Sequence, residues 1–347
     1  MRRLVLPLVA TALALVPLPA HFVERVYAVG WYPHLQPLLT RVSNGVPFAW
    51  LDPLVALTAG AMLVGAARAW RRAAGPGWRR LANVVILALQ AGAFLYVAFL
   101  VLWGFNYRRP PAVERLHVSP ERVTADRLVR LASRAVAEVN ALHDPARSRA
   151  GLRGDVLVAT MAPAFAQAQG LLGSRWRVTP GRPKASFIGR TFPLSGVDGM
   201  INPFGLEVIL NPEVLPFERP YVLAHEWAHL AGHAPESEAS FVAFLACFQG
   251  SPDVQYSGWL DLLLHVARAL PPPARRDTLE AIGKGPRADL RAIETRLRRV
   301  QPAVHQVSWS VYDKYLRANR VASGVADYGE VLNLVLGSPL TASAVGP

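Results

Sequence analysis

A mainly α-helical chain with a small β-sheet, set behind N-terminal transmembrane helices, is the fold class this sequence predicts. Three observations lead there. Long apolar runs occupy the first 110 residues. A short stretch from Trp176 to Asn211 alternates Val, Ile and Phe with Gly and Pro, the signature of strands and turns. Nearly everything else after residue 110 carries helical periodicity.

Composition agrees. Of 347 residues, 52% are hydrophobic and only 18% charged, which points to a membrane protein with a soluble part. The net charge is +13, and residues 1–110 hold eleven arginines against two acidic residues, Glu24 and Asp52. Basicity concentrated among membrane runs is topology information, and no nucleic-acid-binding motif accompanies it. The single cysteine, Cys247, lies in the apolar run Phe241–Phe248 and reads as a buried thiol.

Taken in order, residues 1–110 form a membrane anchor with three predicted spans. The first covers about 4–20 and follows Arg2 and Arg3; we read it as a retained span rather than a cleaved leader, because Pro19 disfavours cleavage. Residues 21–47, rich in prolines and aromatics, read as a loop. The second span covers about 48–67 and the third 81–103, a stretch of about 23 residues without a charge. Five arginines between spans two and three, together with Arg2 and Arg3, belong in the cytoplasm, so residues 111–340 are expected outside, despite Arg108 and Arg109.

That second region opens with a helix from Thr124 to about Leu142, whose apolar face carries Leu128, Leu131, Ala135 and Val139. Another helix is expected from Asp155 to about Leu172, bent near Pro163. Ala185–Ile188 and Leu206–Leu210 are the best strand candidates. After residue 250, helices are expected over Gln255–Leu270, Ala274–Ile282, Arg287–Val300, Val304–Val321 and Asp327–Leu336.

The chemistry-bearing stretch is His225-Glu226-Trp227-Ala228-His229, flanked by uncharged residues and stopped by Gly232. On a helix, positions i and i+4 share a face, so both imidazoles can hold one zinc ion. Glu226 lies beside that metal and can take a proton from a metal-activated water. A third ligand is needed, and Glu236 and Glu238 at the start of the next helix are both candidates. Glu236 followed by Ser240 resembles zinc peptidases in which a small polar residue four places on hydrogen-bonds a ligand. His233 lies beyond Gly232 and is expected near the surface. Tyr256 is a candidate oxyanion donor, though such a tyrosine also serves as packing. Leu206–Leu210, just upstream of the motif, is either a substrate-pairing edge strand or an ordinary core strand. The charges around Tyr312 read as solvated or locally paired.

These pieces resemble a family of bacterial membrane proteins catalogued as domain of unknown function 3810. The resemblance rests on Trp103-Gly104-Phe105-Asn106-Tyr107-Arg108, the His225–His229 helix with Gly232, Glu236-x-Glu238-Ala239, and Tyr256-Ser257-Gly258. Val311-Tyr312-Asp313-Lys314-Tyr315-Leu316, Gly324 and Tyr328-Gly329 complete it. Ser240 stands where the family pattern leads one to expect Asn. The resemblance implies a membrane-anchored zinc peptidase of no assigned substrate, with a zincin-like α+β domain. The expected function is therefore hydrolysis of a peptide or protein substrate at the bilayer by a zinc site of His225, His229 and a glutamate. A zinc-binding sensor or scaffold, or a zinc amidase acting on cell-wall material, would use the same residues.

Overall fold

The computed structural model describes residues 4–72, 76–147, 153–321, 324 and 330–342. Arg2, Arg3, Gly75, Tyr328, Gly329 and the start of the expected 327–336 helix lie outside the described residues. The fold is mainly helical with one three-stranded sheet.

The membrane part centres on two helices, α3 (Leu51–Arg72) and α4 (Gly77–Leu102), each long and apolar enough to cross a bilayer. They pack on each other as a hairpin. The first apolar run behaves differently. Helix α1 spans only Val5–Leu15, packs against α4, and turns by 115° into α2 (Ala20–Asn44). Pro17 and Pro19 end it, since neither can donate to a helical carbonyl. Among the described residues, two helices are thus long and apolar enough to cross a bilayer, or three if the bent pair counts as one.

Residues 21–47 are not a loop. Pro33 sits in the first turn of the α-helical part of α2, where its missing N–H is harmless. A π-helical stretch, Glu24–Trp31, precedes it. From Tyr32 on, the buried stripe of α2 is Tyr32, Gln36, Thr40 and Ser43, at helical spacing but mostly polar, so hydrophobic periodicity does not reveal it. Each residue is matched on the far side. Tyr32 donates to the Leu230 carbonyl at 2.9 Å, Thr40 to the Leu206 carbonyl at 2.7 Å, and Ser43 to Glu207 at 3.2 Å. In packing, α2 therefore belongs with the region beyond residue 110.

That region is built around α8 (Glu236–Phe248), preceded in sequence by α5 (Ala125–Arg147), α6 (Gly154–Leu171) and α7 (Arg219–Leu230). Apart from its last residue, α8 is buried throughout, its polar first turn included. It packs against α6, α7, α9 (Pro252–Ala269) and, past the intervening α10 (Pro272–Glu280), α11 (Lys284–Leu297) and α12 (Pro302–Ala318), against α13 (Val331–Gly337). Cys247 is a buried free thiol within it.

The sheet has the order β1-β3-β2, from Pro183–Lys184, Glu207–Leu210 and Gly199–Asn202. β1 runs parallel and β2 antiparallel to β3. The strand over 206–210 is thus central, not an edge, and the edge beside the motif helix is β2. The expected strand at 185–188 is shorter: Ala185 makes a single bridge to Phe48, and the Ser186 hydroxyl accepts from Ile188 and Gly189 N–H, turning the chain out of the sheet. Glu207 joins sheet to membrane hairpin. It is fully buried, pairs with Lys184 Nζ at 3.1 Å, and accepts from the Trp50 and Leu51 N–H groups at 2.9 and 2.8 Å. A carboxylate there satisfies the first amides of α3 and complements the helix dipole.

Candidate metal centre

Helix α7 carries His225, Glu226 and His229. It ends in a Schellman turn: Gly232 adopts φ +85°, the His233 N–H reaches the Ala228 carbonyl at 3.0 Å, and the Gly232 N–H reaches the His229 carbonyl at 3.0 Å. A side chain at Gly232 would also meet Asn106, which an added Cβ would approach to 2.8 Å. The turn sets up the ligands in two ways. It aims the His233 carbonyl back at His229, whose Nδ1 lies 2.8 Å away, and it delivers the chain to Pro235 and the start of α8.

Three ligand atoms converge. His225 Nε2 lies 3.0 Å from Glu236 Oε2 and 3.1 Å from His229 Nε2, and the third side, His229 to Glu236, is 3.5 Å. A tetrahedral ion with bonds of about 2.0–2.1 Å needs ligand atoms about 3.3 Å apart, so the triangle is one face of a zinc-sized tetrahedron. The other ring nitrogens are engaged outward: His229 Nδ1 donates to the His233 carbonyl, and His225 Nδ1 lies 3.3 Å from the Ser240 hydroxyl. Holding the proton on Nδ1 leaves the Nε2 lone pairs facing the triangle. Among the described residues, this is the one cluster of three or more His, Cys, Asp or Glu suited to a metal ion.

Electrostatics support the fit. Burial opposes ionisation of Glu236, but His229 and His225 hold its carboxyl well below the usual range. Burial also disfavours a charged His229, yet Glu236 and Glu226 raise its pKa to about 9. The cluster therefore demands positive charge, which a divalent cation supplies with both imidazoles neutral. Glu226 is buried, and burial, opposed by the two histidines, pushes its carboxyl up to about 7. Its Oε2 is buried and has no hydrogen-bond partner among the described residues. Beside it runs β2: a Cβ built on Gly199 would sit 2.6 Å from Glu226 Oε1, so only glycine lets the edge strand pass this close.

The other expected residues separate. Glu238 faces away from the triangle into a buried ion pair with Arg115, and its Oε2 lies 3.3 Å from His233 Nδ1. Burial opposes its charge, but Arg115 and His233 hold its carboxyl at about 2. His233 is buried, not superficial, because its carbonyl and ring are both used in the turn. Tyr256 is buried as well, its hydroxyl donating to Asp289 at 2.7 Å with His143 and Phe217 against its ring. The tyrosine at the ligand set is Tyr312, whose hydroxyl donates to Glu236 Oε1. Its signal in the sequence was the aromatic series Trp309, Tyr312 and Tyr315 on one helix, whose Tyr312 and Tyr315 rings stack at 5.8 Å.

The site also touches the membrane part. Trp103, which caps α4, donates its indole N–H to the His229 carbonyl at 2.9 Å, and Arg109 donates to the Gly232 carbonyl at 2.8 Å while pairing with Glu24. Of the segments quoted above for the family pattern, those of Trp103, His225–His229 with Gly232, Glu236 and Tyr312 meet around this centre, while Tyr256 lies apart on α9.

The family model described as "Protein of unknown function (DUF3810)" matches residues 27–336. The chain belongs to this family. The matched span begins inside α2, in keeping with the packing of that helix on the metal-helix domain. Among curated proteins and among solved structures, none matches.

Proposed function

We propose that this member of the family is a membrane-anchored zinc metallopeptidase whose residues beyond 110 form a zincin-like domain on the extracytoplasmic side. One observation carries the reading: three ligand atoms 3.0–3.5 Å apart, with a buried Glu226, whose Oε2 has no hydrogen-bond partner among the described residues, next in sequence to His225. His225, His229 and Glu236 would hold the ion. A zinc ion in that place polarises a carbonyl and makes water acidic enough to attack near neutral pH.

The chain's own groups supply the rest. Glu226, with its carboxyl near neutrality, takes the proton of the attacking water and delivers it to the departing amine, a role worth about 10²–10⁴-fold in rate. Tyr312 fixes the Glu236 carboxylate, its hydroxyl donating to Oε1. The outer edge of β2, which no other strand among the described residues covers, offers backbone groups to an extended peptide beside Glu226. Glu238 and the His233 ring are tied to each other and to Arg115, so they are not available to close the site with a fourth protein ligand.

Orientation rests on charge. Arg68, Arg71, Arg72, Arg79 and Arg80 cluster where α3 passes to α4, at the end of the hairpin opposite Trp50 and Trp103. Arginines stay cytoplasmic, which favours the metal end outside. The test is metal content with activity. Full-length protein purified in detergent should carry one zinc, cleave a mixed-sequence peptide pool, lose both on chelation and regain both with zinc. Protein that binds no zinc after dialysis against it contradicts the proposal.

A further inference from the structure

We infer that the metal centre works at the bilayer surface and that its substrates are polypeptides tethered to the membrane; this deepens, and rests on, the peptidase reading. Helix α4 has 26 residues, or about 39 Å at 1.5 Å per residue, against a hydrocarbon layer of about 30 Å. Its far end is marked by Arg79 over Trp78 and Arg80 over Trp70, the arginine and tryptophan girdle of one interface. Its near end is Trp103, whose ring centre lies only 6.2 Å from that of the ligand His229. A span about 9 Å longer than the hydrocarbon layer, within the two headgroup zones, thus ends on the helix that carries His229.

A second contact says the same independently. The first turn of α3 is held by Glu207 on the central strand, and Asp52 one residue later accepts from Ser186 Oγ at 2.6 Å and the Phe187 N–H at 2.9 Å. Around that junction Phe48, Trp50 and Phe187 are exposed, by 48%, 40% and 71%, as interfacial aromatics are. Both membrane helices therefore enter the sheet and metal helix with no linker between. The headgroup zone is about 5–7 Å deep on each side, so the centre lies at its depth. A scissile bond must come to that depth. The β2 edge and Gly199 favour an extended backbone over a lipid headgroup, so the occupant is a segment lying next to its own membrane anchor.

The test uses full-length protein in lipid vesicles and one mixed-sequence peptide segment in three forms: joined directly to a transmembrane helix, lifted about 40 Å by a rigid helical spacer, or free in solution. The directly joined segment should be cut at least tenfold faster than either other form, by wild type and not by Glu226→Gln. Equal rates on all three overturn the inference and leave the peptidase reading intact. Release of a lipid fragment with no peptide cut overturns it in favour of a lipid substrate. A position measurement separates failure of the geometry from failure of the chemistry. A nitroxide at Phe187→Cys should be relaxed more by oxygen than by a water-soluble nickel chelate, with the reverse at Leu279→Cys on α10. If both labels behave as water-exposed, the centre stands clear of the bilayer and the inference falls whatever is cleaved.

Discussion

The hydroxyl of Tyr312 donates to the carboxylate of Glu236 across 76 residues of chain. It ties α12 to the ligand that opens α8 and distinguishes two tyrosines that look alike in the sequence. Tyr312→Phe is expected to keep zinc and to lose about 10–100-fold in turnover, since partners of metal ligands carry effects of that size. Tyr256→Phe is expected to leave turnover unchanged and to cost about 1 kcal/mol of stability, because Asp289 keeps Arg147 when the tyrosine hydroxyl goes. Turnover with thermal unfolding of both variants decides between the assignments.

The two glutamates of α8 make a similar pair. Glu236→Ala should release the metal, as it removes one corner of the triangle. Glu238→Gln should keep it, while stranding the Arg115 charge against a buried neighbour, at about 3–5 kcal/mol. Metal analysis of the two purified proteins is the check. Metal lost from Glu238→Gln and retained by Glu236→Ala would reverse the ligand set.

Close passage of β2 is open to a one-carbon test. Gly199→Ala would drive a methyl group to 2.6 Å from Glu226 Oε1, so either the carboxylate or the strand must move. Zinc should stay bound while turnover falls by about 10²-fold, the scale of a misplaced reacting group. Normal turnover in this variant would mean that the strand does not confine Glu226.

Chelation should loosen the domain. Without the ion, buried His229 and Glu236 and half-buried His225 face one another with protons alone to balance the carboxylate. A ligand at one hundred times its dissociation constant adds about 2.7 kcal/mol by mass action, a rise of about 5–10 °C for a domain of this size. Thermal melts with chelator and with zinc should differ by that amount, and Glu236→Ala should show no such difference.

Much of the centre was legible in local spacing and much of its surroundings was not. His225 and His229 share a face by helical period alone, and Ser240, four residues after Glu236, lies 3.3 Å from His225 Nδ1, while Glu236 rather than Glu238 faces the two histidines. What lay hidden depended on contacts distant in sequence. Leu206–Leu210 is a clear strand, but its central position comes from partners at 183–184 and 199–202 that are too short and too rich in Gly and Pro to stand out. The second half of α2, from Tyr32, buries hydroxyl and amide groups instead of an apolar stripe, so its prolines suggested a loop. His233 looked superficial because nothing local shows that a turn carbonyl would be needed by His229. Tyr312 is near the ligands only through the packing of α12.

Comparing the proteolytic fragments from membranes that carry either wild type or Glu226→Gln, with zinc measured in both, tests the central claim most directly. The change replaces a proton acceptor by a group of the same shape next to an intact ligand triangle. The expected result is equal zinc in the two proteins and a set of membrane-derived peptides present with wild type and absent with Glu226→Gln. Identical fragments at identical rates from the two membranes, with zinc bound in both, would contradict it.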